Sequence, residues 1–299
     1  MIEKTKKCPI CGNTELIGIK TKISDFIKER IECEEKDDIE LLHCTSCSFA
    51  FYSYRFSHEQ EEKLYSGYRD DMYQQQREKN EYWYTAKVND LLNHDTKGIK
   101  EQQRIIDKVL KDNDLEVFDN ALDYGGNEGE TFLKKWGIKN KYIFDISGCQ
   151  TLPGIIGINR IDDLYNLQID FVMCNMVFEH LVNVMEIMNI FIKIGDISTA
   201  FYIEVPSEFP FDNNKFSIKN NMGLLINPHF SNWKLFRYYL KQRMGSFMPM
   251  KEHVNFFSPT SLKTMVENSG FTTIDIQENE ESGVLGRGKV LSILFKRKS

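Results

Sequence analysis

The chain has 299 residues, 41% of them hydrophobic, which is enough for one large domain or for a medium domain with a small attachment. Its formal net charge of -6 and pI near 5.6 offer no basic surface of the kind that nucleic-acid backbones require. No run of 18 apolar residues is present, and residues 1–9 lack the apolar core of a signal peptide. The composition therefore predicts a cytoplasmic protein without a membrane segment.

Paired cysteines are the main feature of the N-terminal end. Cys8-Pro-Ile-Cys11 and Cys44-Thr-Ser-Cys47 each present two thiolates at a spacing that can hold one tetrahedral metal ion. Two such pairs fill a four-ligand shell, so they predict a structural Zn²⁺ with no open position for catalysis. Buried cysteines without metal, or a redox pair, are the alternatives. His43 and Cys33 are predicted not to be ligands.

The next segment is predicted to be first extended and then helical. Residues 49–54 alternate like a strand, and Ser57-His-Glu-Gln60 matches a capping box that begins a helix. Residues 58–112 are polar and helical, and their aromatic side chains are interpreted as packing, with a lid over a ligand as the alternative. The predicted organisation is a zinc-binding region at 1–56, a helical linker or lid at 57–112, and a larger domain at 113–299.

Short apolar runs alternate with helices from residue 117 onwards, a pattern that predicts a mostly parallel sheet. The clearest strands are at 117–124, 141–146, 169–175 and 200–205. Glycines are predicted to end the intervening helices, Gly137 the first and Gly195 the one that begins near Val182. A helix from Ser258 to Gly270 and a hairpin of two strands, 271–277 and 290–295, complete the pattern. Residues 207–251 form an insertion, a common place for a substrate site.

A glycine-rich loop follows the first of these strands, in the order Asp123-Tyr-Gly-Gly-Asn-Glu-Gly129. Glycines let a backbone approach a ligand closely. The loop carries carboxylates and no Lys or Arg, so it would repel a pyrophosphate and attract a cationic ligand such as S-adenosylmethionine. An ordinary strand-to-helix turn is the alternative.

Acidic and polar side chains also follow the later strands. In open α/β sheets, ligands bind beyond the carboxyl ends of the strands, and an acid after the second strand commonly binds ribose hydroxyls. Asp145 occupies that position. Asp162 follows the presumed third strand, where it could meet an adenine amino group, with a solvated acidic turn as the alternative. Asn175 ends the fourth. The predicted cofactor-binding residues are Asp123, Gly125, Gly126, Gly129, Asp145, Asp162 and Asn175.

The order of these segments resembles a class I S-adenosylmethionine-dependent methyltransferase. The loop resembles that family's D/E-x-G-x-G-x-G motif, with Asn127 at the middle glycine. Val177-Phe-Glu-His-Leu181 resembles V-L-E-H-V after the fourth strand, and Glu252-His-Val-Asn-Phe-Phe-Ser258 resembles E-H-x-x-x-F/Y-S. The resemblance implies an α/β, Rossmann-like, seven-stranded, mostly parallel sheet with helices on both faces, beside the small N-terminal zinc-binding domain.

The zinc knuckles and the L-Y-x-x-Y segment that follows them are similar to deoxysugar C-methyltransferases acting on nucleotide sugars, although the sequence is expected to lack their further C-terminal domain. This similarity implies that Glu252 and His253 supply the acid/base groups, with His253 as the base, Glu252 orienting or charging its imidazole, and His180 as a second candidate. The predicted function is methylation of a small carbohydrate, a nucleotide sugar or glycan unit, at oxygen or carbon. The oligomeric state stays open, a homodimer included.

Two other functions compete with this prediction. The zinc knuckles could serve an RNA or tRNA methyltransferase, with Lys234, Arg237, Lys241 and Arg243 forming a basic helix face, although a solvated face is the simpler interpretation in an acidic chain. A non-catalytic module that binds the cofactor is the other alternative, and Asn127 in the glycine loop is the one sequence feature that favours it. Salt-sensitive retention of RNA would favour the first, and failure to bind the cofactor would favour a degenerate, non-catalytic module.

Overall fold

The computed structural model describes residues 5–33, 39–115, 117–147, 150–211, 248–284 and 286–298. Eleven strands are assigned within these residues: β1 Leu16–Thr21, β2 Ile39–Cys44, β3 Ala50–Tyr52, β4 Asn120–Tyr124, β5 Asn140–Phe144, β6 Ile156–Ile158, β7 Phe171–Asn175, β8 Ala200–Pro206, β9 Asn255–Phe256, β10 Phe271–Gly283 and β11 Gly286–Arg297. The helices are α1 Asp25–Arg30, α2 His58–Tyr65, α3 Asp71–Asn80, α4 Ala86–Asn93, α5 Thr96–Asp112, α6 Ile161–Leu164, α7 Val184–Ile194 and α8 Pro259–Asn268. None of these helices is both long and apolar enough to cross a membrane.

The chain divides into two compact units. The first comprises Met1–Cys8, Asn13–His94 and Glu208–Phe256, and the second comprises Pro9–Gly12, Asp95–Ser207 and Phe257–Ser299. Most of the predicted insertion, residues 212–247, lies outside the described residues, and so does the basic helix face predicted within it.

The first unit contains a four-stranded antiparallel sheet in the order β1-β2-β3-β9. Helices α2, α3 and α4 follow β3, as the polar periodicity predicted. Ser57 begins α2 with the predicted capping box, in which its side chain accepts from the Gln60 backbone N–H and the Gln60 side chain accepts from the Ser57 backbone N–H. Tyr73 and Tyr84 are fully buried, so these two rings pack in the interior of the unit.

The second unit contains a seven-stranded sheet in the order β10-β11-β8-β7-β4-β5-β6. The pairs β4–β5, β5–β6, β4–β7 and β7–β8 are parallel, whereas β11 is antiparallel to both β8 and β10. The predicted α/β architecture, a mostly parallel seven-stranded sheet, is therefore confirmed. The hairpin strands are longer than predicted, because the glycine-rich residues between them continue the ladder to the pair Gly283–Gly286.

One predicted element is absent from the second unit. No α-helix follows the glycine loop: residues 125–138 form turns and one 3₁₀ segment, Lys134–Trp136, before Gly137 at a φ of 65°. Phe132, Trp136 and Ile138 are buried in the core cluster that α5 forms with the sheet. The predicted helix was wrong because the segment between Gly129 and Gly137 is too short for a stable helix, and burial of its apolar side chains fixes it instead.

Candidate functional site

The glycine loop turns sharply at the carboxyl end of β4. Gly125 and Gly129 have φ angles of 79° and 93°, and Asn127 also lies in the left-handed region at 50°, which asparagine tolerates better than most residues. A Cβ on Gly125 would lie 2.4 Å from a Val177 methyl group, and one on Gly126 would lie 2.4 Å from Cγ of Asp123. The loop backbone therefore packs directly on its neighbours, and both positions require glycine.

Asp123, the last acid of β4 before the loop, is 1% exposed. Neither of its carboxyl oxygens makes a hydrogen bond of normal geometry with the residues that the structure describes. Burial, reinforced by the charge of Asp145 and opposed by the Thr131 hydroxyl, raises the pKa of Asp123 to about 8. A buried acid of this kind gains most from a ligand that donates hydrogen bonds or carries positive charge.

Asp145 lies just beyond β5, as the sequence predicted. One carboxyl oxygen accepts from the Asn127 backbone N–H at 2.9 Å, and the other accepts from the Ser147 backbone N–H at 2.8 Å. Asp145 therefore ties the glycine loop to the end of β5. Each carboxylate oxygen has a second lone pair, so the group can still accept from ribose hydroxyls.

Asn175 and Asp162, two further predicted cofactor residues, also lie at or beyond the carboxyl ends of strands. Asn175 ends β7, and both atoms of its side-chain amide are buried without a hydrogen-bond partner among the described residues. Asp162 lies in the first turn of α6, after β6, where its side chain is 76% exposed and 3.6 Å from Arg160. The order of these acids and amides along β4, β5, β6 and β7 fits an adenosyl cofactor with a polar amino-acid end.

His180 belongs to the second unit and lies in the turn between β7 and α7. Its Nε2 is 3.8 Å from an oxygen of Glu179, a residue that is 2% exposed, and its backbone N–H donates to the carbonyl of Val177. The histidine is 21% exposed at its side chain. The ring of His180 is therefore partly accessible to a ligand.

His253 belongs to the first unit and lies just before β9. Its Nδ1 is 3.0 Å from Oε2 of Glu208, and its side chain is 35% exposed. A carboxylate on one ring nitrogen orients the imidazole and makes the other nitrogen more basic. The sequence assigned this partner role to Glu252, and Glu208 was not considered, because it is distant from His253 in the chain.

Glu252 takes part in a buried network of the first unit. Its carboxylate accepts from the Tyr73 hydroxyl and pairs with Arg77 at 2.8 Å. Arg77 in turn pairs with Glu81 at 3.0 Å, and Glu81 pairs with Lys251 at 2.7 Å. These contacts fix the backbone next to His253, since a buried carboxylate paired with arginine is costly to displace.

The four predicted zinc ligands lie close together. The Sγ atoms of Cys8, Cys11, Cys44 and Cys47 are all within 4.8 Å of one another, and those of Cys8 and Cys47 are 3.5 Å apart. Four thiolates on one zinc ion, with Zn–S bonds of about 2.3 Å, would lie about 3.8 Å apart. The Asn13 side-chain amide lies 3.8 Å from Sγ of Cys44 as a donor. The cluster has the donor set and the spacing for one zinc ion.

Glu204, in β8, is a polar residue that the sequence analysis passed over. It is fully buried, and the Tyr202 hydroxyl donates to its Oε2 at 2.6 Å. Burial raises the pKa of Glu204 to about 8, with further contributions from the charges of Glu281 and Glu179 and opposition from the Tyr202 hydrogen bond. The available signal was a lone acid inside the apolar run Ala-Phe-Tyr-Ile-Glu-Val, residues 200–205.

Comparison with known proteins gives a family match. A family model described as "Methyltransferase domain" matches residues 73–276, which is more than half of the chain. A search of curated proteins returned no match.

A search of solved structures gives matches at low sequence identity. A SAM-dependent methyltransferase from Anabaena variabilis aligns with 73% of this chain and 92% of its own at 10% identity and a TM-score of 0.46. Magnesium protoporphyrin IX methyltransferase from Synechocystis, solved with bound SAH, aligns with 67% of this chain and 84% of its own at 12% identity and 0.41. A SAM-dependent methyltransferase from Archaeoglobus fulgidus aligns with 65% of this chain and 94% of its own at 17% identity and 0.40.

Proposed function

Because this chain belongs to the methyltransferase-domain family and is a SAM-dependent methyltransferase, we propose that its acceptor is a small carbohydrate, a nucleotide sugar or glycan unit. The observation that carries the proposal is His253, paired with Glu208 and partly exposed, as a base for a sugar hydroxyl or an activated carbon. Its segment, Glu252 to Ser258, and the cysteine pairs are the features that resemble sugar methyltransferases.

The proposed roles follow from the contacts of each residue. S-adenosylmethionine, when bound, supplies a methyl group attached to a sulfonium. The neutral thioether that remains after methyl transfer is a good leaving group. The cofactor is bound by the residues at the carboxyl ends of the strands, namely Asp123, Gly125, Gly126, Gly129, Asp145, Asp162 and Asn175. His253 removes the acceptor's proton, Glu208 orients the imidazole, and Glu252 positions the segment through Arg77. His180 is the second candidate for the base.

The organisation proposed for the chain is a zinc-binding region at 1–56, a helical linker or lid at 57–112, and a catalytic domain at 113–299 with the substrate-side insertion at 207–251. In this proposal, Zn²⁺ on the four clustered cysteines is structural, since four thiolates leave no open position for substrate.

The acceptor can be identified by incubation with methyl-labelled cofactor and a panel of nucleotide sugars, followed by location of the methyl group. Label on a sugar oxygen or carbon would support the proposal and would decide between O- and C-methylation. Label transferred to RNA or to a small amine, with none on any sugar of the panel, would contradict the carbohydrate assignment.

Replacement of Asp145 by Ala is expected to weaken S-adenosylhomocysteine binding by roughly tenfold to a hundredfold, because hydrogen bonds to a charged group contribute about 1.5–3 kcal/mol. Part of this loss reflects release of the Asn127 and Ser147 backbone N–H groups. Titration calorimetry measures the effect. Asp119→Ala is the matched control, an exposed acid at the opposite end of the sheet, paired with Lys139. Equal affinities for the two variants would contradict the role of Asp145.

A further inference from the structure

His43 lies in β2, the second strand of the antiparallel sheet in the first unit. Its strand neighbours are Ile17 on β1 and Ala50 on β3, so its backbone is held on both sides. The side chain lies outside the cluster of four cysteines, although Cys44 follows it directly in the chain. Nε2 of His43 is buried without a hydrogen-bond partner among the described residues. The ring therefore offers its π surface, and not Nε2, to the residues around it.

Two phenylalanine rings contact this imidazole. Phe211 stacks on it with ring centroids 4.9 Å apart and planes inclined by 25°, and Phe209 meets it edge-on at 5.4 Å. The two phenylalanine rings are 6.1 Å apart, and Pro210 between them in the chain is buried. Aromatic pairs at these distances each favour the packed arrangement by about twofold to tenfold. Residues 209–211 are thus fixed on the strand that carries His43.

Glu208 immediately precedes these three residues, and its carboxylate is the partner of His253. The Glu208 side chain is 57% exposed, and its Oε2 lies 3.0 Å from Nδ1 of His253. An exposed ion pair contributes little by itself, because the entropy lost in holding the side chains in place offsets the attraction. That entropy cost falls where the adjacent backbone is already fixed. The contacts of Phe209 and Phe211 with His43 fix the backbone directly after Glu208.

We propose that His43 is a positioning residue for methyl transfer, whose aromatic stack holds Glu208 against His253. The inference rests on the proposed function, in which His253 removes the acceptor's proton. An ionised Glu208 can only accept a hydrogen bond, so a neutral His253 paired with it carries its proton on Nδ1. Nε2 of His253 then keeps its lone pair and is the atom that takes the proton from the acceptor. His43 thereby acts on the reaction through Glu208.

The decisive experiment reads the tautomer of His253 and needs no acceptor. Nitrogen NMR spectra of the full chain, labelled at its histidine rings and held at about pH 9 where imidazoles are neutral, distinguish protonated from unprotonated ring nitrogens. The unmodified protein should carry the His253 proton on Nδ1, and His253→Ala identifies the signal. His43→Ala should lose this preference, because Glu208 is no longer held in place. His43→Phe keeps a stacking ring and should restore it.

Two further variants make the spectra specific. Phe211→Leu removes the stacked ring from the other side, without a change in β2, and should reproduce the effect of His43→Ala. If His43→Ala loses metal or does not fold, Phe211→Leu decides in its place. His94→Ala is the matched control: this histidine ends α4 in the same unit, its side chain is 75% exposed, and its removal should leave the tautomer of His253 unchanged.

Turnover separates this inference from the proposed function. His43→Ala should lower the single-turnover rate by about fivefold to a hundredfold, with S-adenosylhomocysteine affinity within about twofold. In a Glu208→Ala background, His43→Ala should cost less than about twofold more, because both changes act through one carboxylate.

Two results would overturn the inference. One is an Nδ1 proton on His253 that persists in both His43→Ala and Phe211→Leu. The other is a pair of independent, multiplying effects of His43→Ala and Glu208→Ala on turnover. A change of tautomer without any loss of turnover would instead contradict the proposed function, because His253 would be positioned by His43 and Glu208 without serving as the base.

Discussion

Replacing His253 with Ala is expected to lower turnover on the true acceptor by about 10²–10⁴-fold, the usual contribution of a positioned general base. S-adenosylhomocysteine affinity should stay within about twofold, because the base acts on the acceptor and not on the cofactor. Single-turnover kinetics with saturating cofactor, together with calorimetry, measure the two quantities separately.

Two further variants make this result specific. Glu208→Gln keeps the hydrogen bond to Nδ1 but removes the charge, so it should cost less turnover than His253→Ala. His58→Ala is the control: this histidine, 87% exposed at its side chain, lies in the same unit at the start of α2. Full turnover in His253→Ala with none in His180→Ala would exchange the two roles. Activity in both would mean that methyl transfer proceeds by alignment alone.

Loss of the zinc site is expected to have the largest effect on stability. Cys44→Ala should remove the metal and unfold the residues around the cysteine cluster, because apparent zinc-binding energies in small zinc domains reach about 10–16 kcal/mol. The first unit also has its own sheet, helices and buried tyrosines, so part of it should keep its structure. Elemental analysis and thermal melting of protein purified without added metal measure the two effects.

Cys33→Ala is the matched control for the zinc prediction, because Cys33 lies outside the four-cysteine cluster, with its Sγ 3.6 Å from the Tyr54 hydroxyl. This variant should keep one zinc ion per chain and its melting temperature to within a few degrees. A wild-type protein without zinc, or a Cys44→Ala variant with unchanged metal content and stability, would refute the site.

The sequence was sufficient for the sheet because its strands are short, apolar and bounded by polar turns. The strands predicted at 117–124, 141–146 and 169–175 correspond to β4, β5 and β7, with ends that differ by a few residues. The cysteine spacing correctly indicated a cluster. The helix predicted before Gly137 does not form. Its helical periodicity covered too few residues to outweigh the burial of Phe132 and Trp136 in the core.

Residues paired across long sequence distances could not be predicted in the same way. The resemblance implied that Glu252 orients His253, but in the structure Glu252 contacts Tyr73 and Arg77, and His253 contacts Glu208. No local spacing encodes these pairs. Glu204 was visible in the sequence as a charge within an apolar strand, but only the strand register shows that it lies beside Asn175.

The 3₁₀ segment at Lys134–Trp136 has a consequence for hydrogen exchange. A full crossover helix would protect consecutive amides, whereas this stretch is held mainly by the buried side chains of Phe132, Trp136 and Ile138. Its amides should therefore exchange faster than those of the flanking strands β4 and β5, even though its rings are deeply packed. Trp136→Ala should then loosen the stretch after the glycine loop without melting the sheet.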